Sequence, residues 1–354
     1  MDRLPTNDPA PTGTPPVPRL RLVLLGDCML GRLVNERLRD VAPEYPWGDT
    51  LPLLHGADWR LCNLECVLSD GGAPVFPKTF HFRSDARNIA VLHAAQIDAV
   101  TLANNHVLDY GNDAMSEMLE ILDRAGIVHS GAGKNFDEAS RPAIATVRGT
   151  KLAVLAFTDN EPGWEAGAGR PGIFYAPIES GDSRAQMVLE IVGRGKPAAD
   201  FLIVSAHWGP NWGYAPPREH VAFAHAMIDA GADLVFGHSS HVYRGIEFYR
   251  GRAIVYGAGD FVDDYMVDEI ERNDQGFVYV VEVEGGISAR LRLYPTVIGD
   301  FQACRAGGQE ESSIAGKMSR LCAPFGTTAE WDPASRSLVV ESTRQSRESA
   351  GGSG

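Results

Sequence analysis

The sequence predicts an α/β fold of mixed sheets with helices outside, formed by one domain over residues 19–342. Three observations predict it. Apolar, strand-like runs alternate with helix-like segments from Arg19 to about Gly237. After His241 the pattern changes to paired strands around short Gly-containing turns. Five apolar runs end in short polar motifs, and strand ends are where α/β folds bind their ligands.

In chain order, strands are expected over 22–25, 59–62 and 99–102, with helices over 32–40, 86–95 and 112–125. Gly126 closes the third helix as a C′ residue. A hairpin over 143–157 turns at Arg148-Gly149-Thr150. Strands over 201–205 and 234–236 alternate with helices over 184–193 and 217–230, the latter closed by Gly231. Hairpins then turn at Arg250-Gly251-Arg252 and Gly285-Gly286. A helix over 311–321 and a strand over 338–341 complete the pattern. Residues 1–18, rich in Pro and Thr, read as a disordered arm, and 343–354 as a flexible tail.

Composition narrows the function. The 354 residues are 44% hydrophobic and 22% charged, ordinary for a globular protein. A formal net charge of −14 argues against nucleic acid and anionic membrane as partners. No apolar stretch reaches the roughly 18 residues that span a bilayer. The N-terminus has neither the basic nor the apolar region of a signal peptide. Five irregularly spaced cysteines fit reduced thiols, and the expected location is cytoplasmic.

The polar motifs carry the chemistry. They are Gly26-Asp27, Asn63-Leu64-Glu65, Asn104-Asn105-His106, His207-Trp208-Gly209 and Gly237-His238-Ser239-Ser240-His241. Asp27 suits a cation ligand, a base or a turn. Asn63 and Glu65, two apart, share one strand face. Asn104, Asn105 and His106 close an apolar strand and need hydrogen bonds or a metal if buried. His238 and His241 are spaced to converge on one ion. His81-Phe82-Arg83 reads either as a cation for an anionic substrate or as a solvated strand edge. Trp164, Trp208, Trp212 and Tyr214 read as pocket lining or as ordinary aromatics. Asp263 and Asp264 are expected to face water, with Asp260 either in the site or beside it.

Together these motifs resemble the CapA (poly-γ-glutamate capsule synthesis) family, a branch of the calcineurin-like metallophosphoesterases. The resemblance runs from about 19 to 300, through Leu25 to Arg32, Cys62 to Glu65, Leu102 to Gly111, Ser130-Gly131-Ala132-Gly133, Ser205 to Gly209, Gly237 to Val242, Tyr256 to Phe261 and Arg272 to Gly276. It implies a four-layer α/β/β/α sandwich. It also implies metal ligation by Asp27, Glu65, Asn105, His207, His238 and His241. Glu65 would bridge two ions, Asp27 and His241 would serve the first, and Asn105, His207 and His238 the second. The catalytic groups implied are His106 as general acid, with Asp27, Glu65 and His207. Asn63, Arg83, Trp208 and Asp260 are the expected substrate contacts.

The chain departs from the superfamily pattern at Asp27-Cys28-Met29, where Asp-x-His is usual, and at His238-x-x-His241, where His-x-His is usual. Asp260 replaces an Asn. Thioether sulfur suits hard divalent ions poorly. The expected cofactor is therefore one divalent metal (Mn, Zn or Fe) or none. Two enzyme readings follow for a peptide or small-molecule substrate. One is hydrolysis by metal-activated water with His106 as general acid. The other is metal-independent epimerisation of a peptide Cα by two acid–base groups, as in the lasso-peptide epimerase branch of the resemblance. The third reading is a non-catalytic binding protein on the same fold. The oligomeric state is not legible in the sequence.

Overall fold

The computed structural model describes residues 19–179 and 181–342. The arm expected over 1–18 and the tail over 343–354 lie outside the described residues.

Two sheets stack face to face. The larger has ten strands, along the order Thr327–Asp332, Ser337–Ser342, Ile287–Gly299, Gln275–Glu284, Arg19–Cys28, Trp59–Leu64, Ala99–Thr101, Val128–Ser130. Asp260–Val262 pairs with the Arg19 strand and Gln302–Arg305 with the Ile287 strand. The four strands from Arg19 to Val128 run parallel, Asp260–Val262 joins parallel to the first of them, and the other later strands join antiparallel. The smaller sheet has the order Ile246–Tyr249, Arg252–Val255, Leu234–His238, Phe201–His207, Thr150–Thr158, Ala143–Val147, parallel inside with antiparallel edges.

The period-2 pattern of each strand explains the layering. Leu20, Leu22 and Leu24 point into the core between the sheets, where Leu152, Val154, Ile203 and Phe236 of the smaller sheet meet them. Val23 and Leu25 point the other way, against Met115, Met118 and Leu122 of the Gly111–Ala125 helix. Ala153, Leu155 and Phe157 likewise back onto Val188 and Val192 of Ser183–Gly195 and Met227 of Arg218–Ala230. The result is a four-layer α/β/β/α sandwich. Burying each of these Leu or Val side chains contributes about 1.5–3 kcal/mol.

Helix ends follow the sequence closely: Gly126 takes φ 71°, the left-handed conformation of a C′ glycine. The helix expected over 86–95 is instead a 3₁₀ turn, Ala86–Asn88, leading into Ile89–Ala94. The edge strand Thr327–Asp332 is absent from the sequence reading because its residues are mostly polar and lie on the rim of the sheet.

Gly26 lets the first strand turn into the site. A Cβ there would sit 1.9 Å from the Gly259 carbonyl oxygen, and the Asp27 amide donates to that same oxygen at 3.1 Å. Gly26→Ala is expected to destabilise the protein by about 2–3 kcal/mol, read as a lower urea midpoint at unchanged slope.

Candidate functional site

The C-terminal ends of the parallel strands in both sheets converge, which is where ligands bind in open α/β sheets. Asp27 ends the first strand and is fully buried. Its carboxylate accepts from Asn63 Nδ2 at 2.8 Å and the Ser239 amide at 3.0 Å, and lies 3.2 Å from His238 Nδ1. Burial alone would raise its pKa, but His238, His207 and the Asn63 amide outweigh burial and hold it well below the usual carboxylate range.

His207 and His238 are adjacent on paired strands, with their Nδ1 atoms 2.9 Å apart. His207 Nε2 donates to Asn105 Oδ1 at 2.9 Å, which leaves its Nδ1 lone pair facing His238 and Asp27. His238 Nε2 is engaged by Ser205 Oγ at 2.8 Å. Burial pushes the His207 imidazole well below its ordinary value, so it is neutral and able to ligate.

One ligand atom from each of Asp27, His207 and His238 lies within 4.8 Å of the other two. Two imidazoles and a carboxylate form a donor set for Zn, Mn or Fe. Donors about 2.0 Å from one tetrahedral ion lie roughly 3.3 Å apart, close to the 2.9 and 3.2 Å separations here. The residues therefore fit one divalent ion.

Glu65 stands outside this trio. Its Oε1 is 3.9 Å from both His106 Nε2 and His207 Nε2, and Oε2 accepts from Asn63 Nδ2 at 3.1 Å. Burial, then Asp27, raises its pKa well above the ordinary value. The expected first site is further depleted: His241 Nδ1 faces both Asp260 oxygens, at 3.0 and 3.1 Å. Met29 is buried in the apolar core.

Above this floor opens a cavity of ≈ 580 Å³, with His106, Asn105, His241, Trp212, Tyr265 and Lys78 in its wall. His106 Nδ1 donates to Asp109 Oδ2 at 2.6 Å, leaving Nε2 toward Glu65. The Asp109 carboxylate is itself held by the Phe82 amide at 2.7 Å and by Lys78 at 2.7 Å. Burial lowers the His106 pKa despite Asp109. Burial acts the same way on His241, but there Asp260 prevails and the pKa is raised. The cavity thus carries two carboxylate-backed imidazoles, one from the Ala99 strand end and one from the Leu234 strand end of the opposite sheet.

The other expected contacts lie elsewhere. Trp208 is fully buried, donates to the Tyr256 carbonyl at 3.1 Å and stacks on His220; Trp212 lines the cavity in its stead. The Arg83 guanidinium donates to the Gly71 carbonyl and covers Tyr110 at 4.4 Å. The cavity's cations are Arg32 and Lys78. Asn63 sits beneath the site and bonds Asp27 and Glu65, and Asp260 orients His241. Asp263 and Asp264 do not face water: Asp263 is buried, and Asp264 binds Arg32 at 3.2 Å and the Leu33 amide at 3.0 Å.

Residues 21–265 match the model of the family described as bacterial capsule synthesis protein PGA_cap. The chain belongs to the PGA_cap family. It is 34% identical over 314 residues to a probable polyglutamine synthesis accessory protein of Mycobacterium tuberculosis, covering 85% of this chain and 83% of that one. It is 29% identical over 253 residues to the capsule biosynthesis protein CapA of Bacillus anthracis, covering 70% and 60%. Among solved structures, a hypothetical protein from Thermus thermophilus is similar at TM-score 0.48 and 17% identity, covering 78% of this chain and 98% of that one. A purple acid phosphatase from yellow lupin is similar at TM-score 0.39 and 10% identity, covering 82% and 53%. No helix among the described residues is long and apolar enough to cross a membrane.

Several PGA_cap site residues escape the sequence reading. Asp109 carries a legible signal, lying three residues after His106. Lys78, Phe82 and Tyr265 carry none. Arg244 is a buried guanidinium that donates to the carbonyls of Pro210, Trp212 and Gly213, and so fixes the loop bearing Trp212. Arg244→Met leaves those carbonyls without their donors. It is expected to speed amide hydrogen exchange across 209–214 at least tenfold.

Behind that loop, Asp159 accepts from the Gly209 amide at 3.0 and 3.2 Å, and burial raises its pKa to about 6. His220 lies 3.8 Å away, and burial lowers its pKa to about 4. The folded state holds the Asp159 proton more tightly than the unfolded chain does. Asp159 therefore withdraws stability as pH rises from about 4 to 6, while His220 returns it from about 4 to 6.5. Asp159→Asn removes the first effect. Its stability relative to the parent is expected to rise by about 3 kcal/mol from pH 4 to 7, measured by urea unfolding.

Proposed function

We propose that this chain is a hydrolase of amide-type bonds in a peptide substrate. The observation that carries the reading is the convergence of Asp27, His207 and His238 directly beneath a cavity walled by the Asp109-backed His106. The name of one relative, probable polyglutamine synthesis accessory protein, concerns an amide-linked polymer. Both cations of the cavity wall are already ion-paired, Arg32 with Asp264 and Lys78 with Asp109. That favours a neutral acyl group over a phosphate ester.

A divalent ion held by Asp27, His207 and His238 would supply Lewis-acid polarisation to the scissile carbonyl and the attacking water. Asp109 fixes the His106 ring with Nε2 free. The His106 imidazolium delivers its Nε2 proton to the departing nitrogen as the C–N bond breaks, and Glu65 takes the proton that water sheds as its oxygen bonds to the acyl carbon. Asn105 holds His207 in the tautomer that turns Nδ1 inward.

A second reading rests on a specific observation. His106 and His241, each backed by a carboxylate, come from opposite sheets to one cavity. Two such groups suit removal of a Cα proton on one face and its return on the other, an epimerisation. Incubation with peptide p-nitroanilides and peptide amides in heavy water separates the readings. Hydrolysis predicts cleavage that is lost on chelation and restored by Mn²⁺ or Zn²⁺. Deuterium uptake at Cα without cleavage, insensitive to chelation, would replace it with the epimerase.

A further inference from the structure

Nine large apolar side chains are exposed among the described residues, and six of them sit on the three loops that form the cavity mouth. Phe76 and Phe80 belong to the first loop, Trp212 to the second, and Met266, Val267 and Ile270 to the third. Met266 is 92% and Ile270 86% exposed. Isolated exposed apolar residues need no explanation, but a concentration around one opening marks a binding surface.

The charge of the rim is as distinctive as its apolarity. Residues 266–270 are all exposed and read Met-Val-Asp-Glu-Ile. Asp268 and Glu269 have no ion-pair partner among the described residues. Three cations here are matched by carboxylates, Arg32 by Asp264, Lys78 by Asp109 and Glu161, and Arg272 by Asp274 and Glu310, while Arg244 is buried against loop carbonyls and Lys317 lies over the Tyr214 ring. The mouth is therefore apolar with unbalanced negative charge. It suits a polyanion such as polyglutamate, or an anionic membrane, poorly.

The cavity is the size of a small-molecule site, and the rim extends beyond it, so a ligand using both is a longer chain. Building on the hydrolase reading above, we propose that the substrate is a peptide segment that carries apolar side chains and at least one Lys or Arg. The apolar side chains rest on Phe80, Trp212, Met266 and Ile270, and the basic group lies against Asp268 and Glu269. The bond to be processed then reaches His106.

The test is binding by the chelator-treated full-length chain, so that turnover is not required. The probes are a fluorescein-labelled Lys-Phe-Leu-Lys-Phe-Leu peptide, its counterpart with Glu for Lys, and a poly-γ-glutamate oligomer, read by anisotropy. The first is expected to bind at least tenfold more tightly than either anionic probe. The M266S/I270S double variant, altered only at exposed positions, is expected to weaken it a further tenfold to hundredfold. E269K is expected to narrow the preference. The inference falls if the anionic probes bind equally well or better, or if M266S/I270S leaves binding unchanged. It also falls if those two residues instead drive sedimentation with phosphatidylcholine vesicles or formation of a dimer. Rim-dependent binding with no cleavage once Mn²⁺ or Zn²⁺ is restored would leave the rim assignment standing and remove the hydrolase. Chelation-sensitive cleavage with rim-independent binding would do the reverse.

Discussion

His106→Asn is expected to lower kcat by about 10²–10⁴-fold with little change in KM. The ring is 4% exposed, its Nδ1 is fixed by Asp109, and its Nε2 faces the cavity and carries a proton only in the imidazolium. Asn preserves some polarity but carries no titratable proton. Asp109→Asn tests the same assignment from behind. It removes the acceptor that sets the tautomer and leaves Lys78 without its 2.7 Å partner, so kcat falls while the His106 ring remains. The pH profile gives a third readout. Burial lowers the His106 pKa, and the proposed mechanism uses the protonated form. The proton is lost as pH rises through that lowered pKa, so this limb of kcat/KM falls on the acid side of the ordinary histidine value. His106→Asn flattens the limb, whereas a merely structural role would leave its position unchanged.

The second large effect is expected at Asp27. Its carboxylate faces His238, accepts from Asn63 and the Ser239 amide, and supplies the anionic donor of the trio. Asp27→Asn keeps the shape and one acceptor oxygen but removes the charge that two imidazoles surround. Affinity for Mn²⁺ or Zn²⁺ is expected to fall at least about 100-fold, measured by calorimetric titration of the chelated protein. The metal-free stability is expected to drop by about 1–3 kcal/mol, because a carboxylate bonded to two buried donors is lost. Asn63→Ala is expected to do less, since it removes one donor from Asp27 and leaves the trio intact.

Much of this was legible in the sequence, and the rest fails for identifiable reasons. Asp27, Glu65, Asn105, His106, His207, His238 and His241 all stand at ends of apolar runs, and the sheets bring all seven together because parallel strands end on one edge. Their grouping was not legible. The resemblance divides Asp27 from His207 and His238, but the paired Phe201 and Leu234 strands put both imidazoles beside Asp27. His241 is drawn away by Asp260, a pairing made across sheets that no local spacing encodes. Trp208 illustrates the opposite error. Its place beside His207 suggested the pocket, but successive strand residues point to opposite faces, so the neighbour of an inward His faces the outer helices. Lys78 and the exposed residues 266–270 lie in long loops whose course depends on tertiary contacts.

The most direct test of the account is calorimetric titration of the chelated chain with Mn²⁺ and Zn²⁺, repeated on His238→Ala. One ion per chain, lost in His238→Ala and retained in His241→Ala, is the predicted result. Two ions per chain, or one ion that depends on His241 and not on His238, would contradict it.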